Sequence, residues 1–164
     1  ADPQNPNSHQ LPAKHKFHEQ SPNVQGTVLW YAAAVVNNPG NYAKLLQNNY
    51  WRYPALQPLM PFIDDKAPKK PRSLKVSWSD DGCLLYWKAP KGKGWENEAY
   101  KYVVYRFGPD EDIDLDNPTK IVAITYQPAI RLNYNGGETK YTYVVTALDR
   151  MSNESVGKKK KIRL

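Results

Sequence analysis

The sequence contains a single cysteine, Cys83. One thiol excludes an internal disulfide framework and any zinc site built on cysteines, since both need several. No run of about 18 apolar residues occurs, so no segment has the character of a membrane-spanning helix. The first ten residues, ADPQNPNSHQ, lack the basic and apolar regions of a signal peptide and do not begin with Met. The expectation is a mature or excised piece of a longer precursor, with any export signal outside it. There is no Gly-rich phosphate loop, Gly-x-Ser-x-Gly elbow or His-Glu-x-x-His helix, so the common signatures of nucleotide, serine-hydrolase and zinc-protease chemistry are missing. Phe is scarce at 3, whereas Tyr at 12 and Pro at 14 are abundant. That balance favours β structure with many turns.

The net charge of +7 comes in large part from Lys158 to Lys161 and Arg163. Neither an RNA-binding aromatic signature nor a recognition-helix pattern accompanies these lysines. They read as a solvated final strand, and no nucleic-acid partner is expected.

Residues 1–22 are rich in Pro, Asn, Gln and Lys without a period, which predicts an irregular arm. The run from Gly26 to Val36 is almost continuously apolar, as in a strand buried on both faces. After the turn signal Asn37-Asn38-Pro39-Gly40-Asn41, the positions Tyr42, Leu45, Leu46 and Tyr50 lie near helical spacing, and Pro54 ends the helix. Residues 63–72 form a polar, Pro-rich linker that marks a domain boundary after a 23–62 strand-helix segment.

From Ser73 the pattern becomes short alternating strands between turn clusters, which predicts a seven-stranded antiparallel sandwich over 73–164. Leu74, Val76 and Trp78 alternate in the first strand and Cys83, Leu85 and Trp87 in the second, with Asp80-Asp81-Gly82 turning between them. Tyr102 and Val104 face inward in the third. The fourth runs from Ile121 to Tyr126, and the fifth carries Ile130 and Leu132. Tyr141, Tyr143, Val145 and Ala147 alternate in the sixth, and the last spans about Ser155 to Arg163.

The set Leu85-x-Trp87-x-x-Pro90, Tyr102-Val-Val-Tyr105-Arg106 and Tyr141-x-Tyr143-Val-Val145-x-Ala147-x-Asp149 resembles fibronectin type III domains of bacterial extracellular enzymes. The resemblance implies a mainly β, immunoglobulin-like sandwich with Trp87 buried in the second strand and Tyr141 in the tyrosine-corner role. Ser152 departs from it, standing where the final turn calls for Gly. A second resemblance lies in Gly26-Thr-Val-Leu-Trp30-Tyr31, Asn37-Asn38-Pro39 and Asn48-Asn-Tyr-Trp-Arg-Tyr-Pro-Ala55, which look like the end of a glycosidase-like TIM barrel. The family is the glycosyl-hydrolase-like family ten, often exported lipoproteins, in which the last barrel strand and helix lead through a Pro-rich linker to a fibronectin type III domain. A whole barrel takes about 250 residues, so seven strands and their catalytic loops would lie elsewhere. Carried over, Trp30 to Ala32 would end the eighth strand, and Trp30, Tyr31, Asn37 and Asn38 would stand at the parent's substrate-binding face.

The resemblances together imply a non-catalytic C-terminal accessory or spacer module of an exported glycosidase-like protein, without a cofactor. Its partner would be the rest of its own barrel. Its location would be extracytoplasmic, with a lipid anchor on the full-length parent. The rival reading is a carbohydrate-binding or protein-adhesion module, with glycan as partner, using Trp95 in the loop Lys91-Gly-Lys-Gly-Trp95 as a sugar-stacking ring.

Other groups carry weaker chemistry. Asp64-Asp65 lies in the linker and does not suit the carboxylate pair of a glycosidase. The run from Asp110 to Asp116 fails as an EF-hand, with Asn117 at the Gly position and Ala123 at the bidentate Glu position, which leaves a solvated excursion or an irregular calcium site. His9, His15 and His18 read as surface histidines, and Cys83 as a buried small hydrophobe.

Overall fold

The computed structural model describes residues 10–28, 32–80, 82–92, 94 and 97–164. The chain divides into two compact units, Ala1–Pro54 and Ala55–Leu164.

The described part of the first unit is helical. Helix α1 spans Gln10–Glu19, α2 spans Ala33–Val36, and α3 spans Tyr42–Leu45 and continues as a wider π-helical turn over Leu46–Tyr50. The irregular arm expected over 1–22 therefore contains a helix. Pro12 falls in its first turn, where a missing N–H has no partner to lose. His15 on α1 is only 6% exposed, stacked 4.9 Å from the Tyr50 ring and edge-on to Trp51, with its Nε2 3.3 Å from the Tyr42 hydroxyl. The reading of His15 as a surface histidine is thus corrected: its ring joins α1 to α3.

The strand expected over 26–36 is not formed among the described residues. Residues 24–28 have no regular structure, Val28 is exposed, and Ala33–Val36 is a helical turn. A strand of a parallel barrel is stabilised by a neighbour on each side and cover on both faces, and the described residues of this unit supply neither. Alanine-rich sequence then follows its helix propensity.

The second unit is the sandwich, and all seven expected strands are present. They are β1 Arg72–Ser79, β2 Gly82–Lys88, β3 Lys101–Phe107, β4 Ile121–Thr125, β5 Ala129–Leu132, β6 Lys140–Leu148 and β7 Lys158–Arg163. The sheets have strand orders β1-β2-β5 and β4-β3-β6-β7, and every pairing is antiparallel. This is a fibronectin type III-like, immunoglobulin-like sandwich, and the fold class is mainly β.

Alternation fills its interior. Leu74, Cys83, Leu85, Trp87, Tyr102, Val104, Tyr143, Val145 and Ala147 form one buried cluster, with Trp87 edge-on to Tyr102 at 5.3 Å. Burial pushes the Cys83 thiol above its ordinary pKa, as befits a small core hydrophobe. Tyr141 departs from the tyrosine-corner expectation. Its ring is half-buried against the core with Arg106 4.9 Å above it, and its hydroxyl makes no backbone hydrogen bond among the described residues.

A second apolar cluster lies on the outer face of the four-stranded sheet: Val103, Tyr105, Phe107, Ile121, Val144 and Leu148. β3 and β6 are therefore buried on both faces, which explains why their sequences, KYVVYRF and KYTYVVTAL, are near-continuous apolar runs. Leu56 and Leu115 cover this cluster.

Candidate functional site

The segment 55–71 precedes the sandwich and runs along it as a strap. Leu56 packs on the outer apolar cluster, and Lys101 reaches the Gln57 carboxamide at 3.4 Å. The Met60 amide donates to the Met151 carbonyl at 3.3 Å, and the Asn153 side chain donates to the Asp64 carbonyl at 2.9 Å. Pro68 and Pro71 are buried. The polar linker expected over 63–72 is thus seated along much of its length, and the boundary between compact units falls earlier, between Pro54 and Ala55. Composition suggested a tether because the segment is Pro-rich and polar. A proline segment also serves as a stiff strap when its few apolar side chains meet an apolar face.

The receiving end of the strap is the turn after β6. Asp149 accepts from the amides of Met151 and Asn153 at 2.8 and 2.9 Å, and its other oxygen accepts from the Asn153 side chain at 2.9 Å. Ser152 holds φ of 68°, the left-handed conformation that the sequence comparison with Gly anticipated. Just beyond it, Glu154 accepts hydrogen bonds from Tyr105 at 2.8 Å and Thr146 at 2.5 Å. Burial, then the bond to Glu154, hold the Tyr105 hydroxyl far above its ordinary pKa. These bonds fix the turn against β3, so that strap, turn and outer face form one packed surface.

Beside the strap, a cleft of about 920 Å³ is lined by Ala67, Lys69, Pro90, Lys91, Asn97 and Glu98 among others. Gly92 also lines it, at a close approach of the chain to itself: a Cβ there would stand 2.5 Å from the Asn97 carbonyl oxygen. Trp95, the proposed sugar-stacking ring, belongs to this loop but lies outside the described residues, as do Trp30 and Tyr31. Asn38 is described. Its side-chain oxygen accepts from the Ala43 amide at 2.7 Å and its nitrogen donates to Asn41 at 3.2 Å, so its carboxamide organises the start of α3. Asn37 ends α2 and is exposed.

The acidic excursion between β3 and β4 is held by local bonds. Glu111 pairs with Lys120 and accepts from the Gly108 amide at 2.9 Å, which together bring its carboxyl below the usual pKa. Asp114 accepts from the Asp116 amide at 3.0 Å, and Leu115 turns inward to the outer apolar cluster. Among the described residues no three metal-ligating side chains gather into a cation site, and no helix is long and apolar enough to cross a membrane.

A second opening lies on the other side of the sandwich, between the edge strands β4 and β5 of the two sheets. It is a slot of about 270 Å³ whose lining includes Arg106, Arg131, Asn133, Asn135, Tyr141 and Tyr143. Neither the slot nor the outer apolar face was anticipated from sequence. For the outer face the signal was present in Val103, Tyr105 and Phe107, which break the alternation around Tyr102 and Val104. For the slot it was Arg106 itself, which continues the inward row Tyr102, Val104 with a charge.

Comparison with known proteins adds the following. No protein-family model matches the chain. It is 32% identical over 139 residues to the glycosyl hydrolase YngK of Bacillus subtilis (strain 168), a match that covers 84% of this chain and 26% of that protein. The chain thus spans about a quarter of the length of the curated relative it matches. Among solved structures it is similar to an Fn3-like protein from Clostridium thermocellum, at 23% identity and a TM-score of 0.41, covering 58% of this chain and 92% of that one. It is also similar to the titin kinase with its flanking domains, at 23% identity and a TM-score of 0.43, covering 58% and 17%. The sandwich assignment rests on the chain's own strand order and register.

Proposed function

We propose that the chain is a non-catalytic accessory part of an exported glycosidase-like protein, in which the sandwich is a rigid module carried beside a barrel. The observation that carries this reading is the extent of the match to the glycosyl hydrolase. The second unit, Ala55–Leu164, is shorter than the 139 matched residues, so the match necessarily runs into the first unit. Both units therefore have counterparts in that one relative, which supports the order of parts that the sequence resemblance implied.

Among the described acidic groups, Glu111 pairs with Lys120, Asp149 accepts from backbone amides and Asn153, and Glu154 accepts from Tyr105 and Thr146. Asp116 and Glu154 line one small opening of about 250 Å³, where Glu154 is held by the hydroxyls of Tyr105 and Thr146. The unformed strand of the first unit also fits a fragment of a larger sheet, since Val28 and Val36 stand exposed where barrel neighbours would cover them. In this reading the strap gives the module a fixed start, so that it presents or braces the barrel instead of trailing from it.

Two measurements test the proposal. The reading frame upstream of Ala1 is expected to encode about 250 residues of alternating strands and helices behind an export signal of the lipoprotein type. A stop codon directly upstream of a start codon there would sink it. The full chain, incubated with a panel of glycans, is expected to release no sugar; turnover by the purified chain would overturn the non-catalytic assignment.

A further inference from the structure

The slot between β4 and β5 has a composition that core packing does not require. β3 sends Tyr102, Val104 and Arg106 to the interior side of its sheet, and the first two are core residues. Arg106 instead remains exposed, at a place where the sandwich opens between its edge strands. Its guanidinium lies over the Tyr141 ring at 4.9 Å. Stacking of this kind uses the face of the guanidinium and leaves its N–H edge for in-plane acceptors, one of which is the Tyr143 hydroxyl. Among the described residues no carboxylate pairs with it. No acidic side chain lines the slot.

The remaining donors and acceptors are those that recognise a sugar. Asn133 and Asn135 line the slot with their carboxamides, and Tyr143 is cross-strand neighbour to Arg106. Tyr143 is buried, and its hydroxyl is hydrogen-bonded to the Arg106 side chain, which orients the guanidinium; burial raises its pKa and Arg106 pulls in the opposite direction. Between the two asparagines, Tyr134 turns its ring to Trp78, edge-on at 5.6 Å. These rings are 54% and 51% exposed, although an aromatic pair at the end of a core row would ordinarily be covered. Neither ring lines the slot itself, but Tyr134 is chain neighbour to both asparagines, and exposed rings adjoining carboxamides offer stacking to the C–H face of a sugar and hydrogen bonds to its hydroxyls. The volume, about 270 Å³, lies near the lower limit of ordinary small-molecule sites and admits one ring.

We propose that this slot binds a carboxylate-bearing sugar residue, a hexuronate within an oligosaccharide. Arg106 takes the carboxylate, Asn133 and Asn135 take hydroxyls, and the Trp78–Tyr134 pair supports the neighbouring ring. The site is separate from the cleft beside the strap. It also stands apart from the accessory reading: loss of the slot proposal leaves the parent and the absence of turnover where they are, since those are read from the gene and from hydrolysis.

The test is a titration of the isotope-labelled full chain, followed by its amide and arginine side-chain resonances. The probes are a glucuronate-containing oligosaccharide, a neutral glucose oligosaccharide of equal length, and acetate. The acidic oligosaccharide is expected to shift Asn133, Tyr134, Asn135 and the Arg106 side chain. It should bind at least about tenfold more tightly than the neutral one, the factor that a charge-assisted hydrogen bond supplies. Arg106→Gln should remove that advantage, and Tyr134→Ala should weaken both oligosaccharides while leaving the preference for the acidic one. If Arg106→Gln fails to fold, Asn135→Ala carries the same test of location, with weaker binding of the acidic probe expected. The proposal is overturned if the acidic probe shifts no slot resonance or the neutral probe binds equally. It is overturned equally if a folded Arg106→Gln or Asn135→Ala binds like the parent chain. Acetate shifting the same resonances with the same affinity would show a small-anion site and sink the sugar assignment.

Discussion

Tyr105 and Glu154 are joined by a 2.8 Å hydrogen bond, from the outer face of β3 to the segment that follows the last turn. Thr146 on β6 donates to the same carboxylate oxygen. One acidic group therefore ties β3, β6 and the turn together beneath the strap.

Removing the Tyr105 hydroxyl tests that tie. Tyr105→Phe keeps the ring in the apolar cluster and deletes a bond to a charged acceptor, with an expected cost of about 1.5–3 kcal/mol in denaturant unfolding. The alkaline behaviour follows from the same bond. A tyrosine whose folded pKa is raised contributes stability that is complete below the unfolded value of about 10 and is lost as pH rises above it. The parent sandwich should therefore lose stability above about pH 10 more steeply than Tyr105→Phe.

The strap gives a second expectation. Leu56→Ala removes half-buried apolar surface from the outer cluster and should cost about 1–2 kcal/mol, below the range for a fully buried leucine. A chain beginning at Ala55 should melt higher than one beginning at Arg72. The shorter one should bind a hydrophobic dye, because Val103, Tyr105, Phe107 and Val144 then lose cover. Equal melting and dye binding by the two would mean that the strap contributes nothing to the fold.

Two backbone positions should respond in opposite directions. A Cβ on Gly157 would lie 2.3 Å from the Val144 side chain, which is buried and β-branched, so Gly157→Ala should destabilise by about 1–3 kcal/mol. Ser152 already occupies a conformation that costs an L-residue about 1–2 kcal/mol, and Ser152→Gly should relieve more than the entropy it adds. Thermal melts of both variants give the comparison; a gain from Gly157→Ala would contradict the packing of β7 against β6.

The first unit should be sensitive to acid. Burial, then the charge of His18, lower the pKa of His15 below 6.5, so the folded unit prefers its neutral ring. Stability due to this group is present above the unfolded pKa and declines as pH falls below it. Protection of the α1 amides, corrected for intrinsic exchange, should decrease between about pH 7 and pH 5. His15→Phe should flatten that decrease.

Much of the sandwich was legible because alternation and turn chemistry point the same way. Leu74, Leu85, Trp87, Tyr102, Val104, Tyr143 and Val145 were read as core and are buried, whereas Tyr141, read as core with them, is only half-buried. The same rule concealed the rest. Alternation assigns one face of a strand to solvent, so Val103, Tyr105 and Val144 passed unremarked although a run of apolar residues implies cover on both sides. What covers them is Leu56, distant in sequence and set among prolines, where composition reads as tether. His15 was missed for a related reason: a histidine in a polar arm is buried only because Tyr50 and Tyr42 come to it. Trp30, Tyr31 and Trp95 lie outside the described residues, and Asn38 proves to be a helix-starting group. Arg106 could have been noticed as a charge on the inward row, but its meaning depends on the opening between β4 and β5, a product of tertiary structure.

The lysine run also acquires a physical reason. Lys158 to Lys161 form β7, the edge of the four-stranded sheet, where exposed positive charge hinders pairing with another chain. Replacing these four lysines by threonine should produce concentration-dependent association in light scattering without lowering the melting temperature of dilute protein.

The seating of the strap also bears on how such a module can be moved between proteins. Recombination that cut at the start of β1 would hand its new host a sheet with one greasy side bare, and the graft would aggregate or be degraded. Inheritance therefore favours a seam between Pro54 and Ala55, so that the prolines travel with the sandwich as part of its hull.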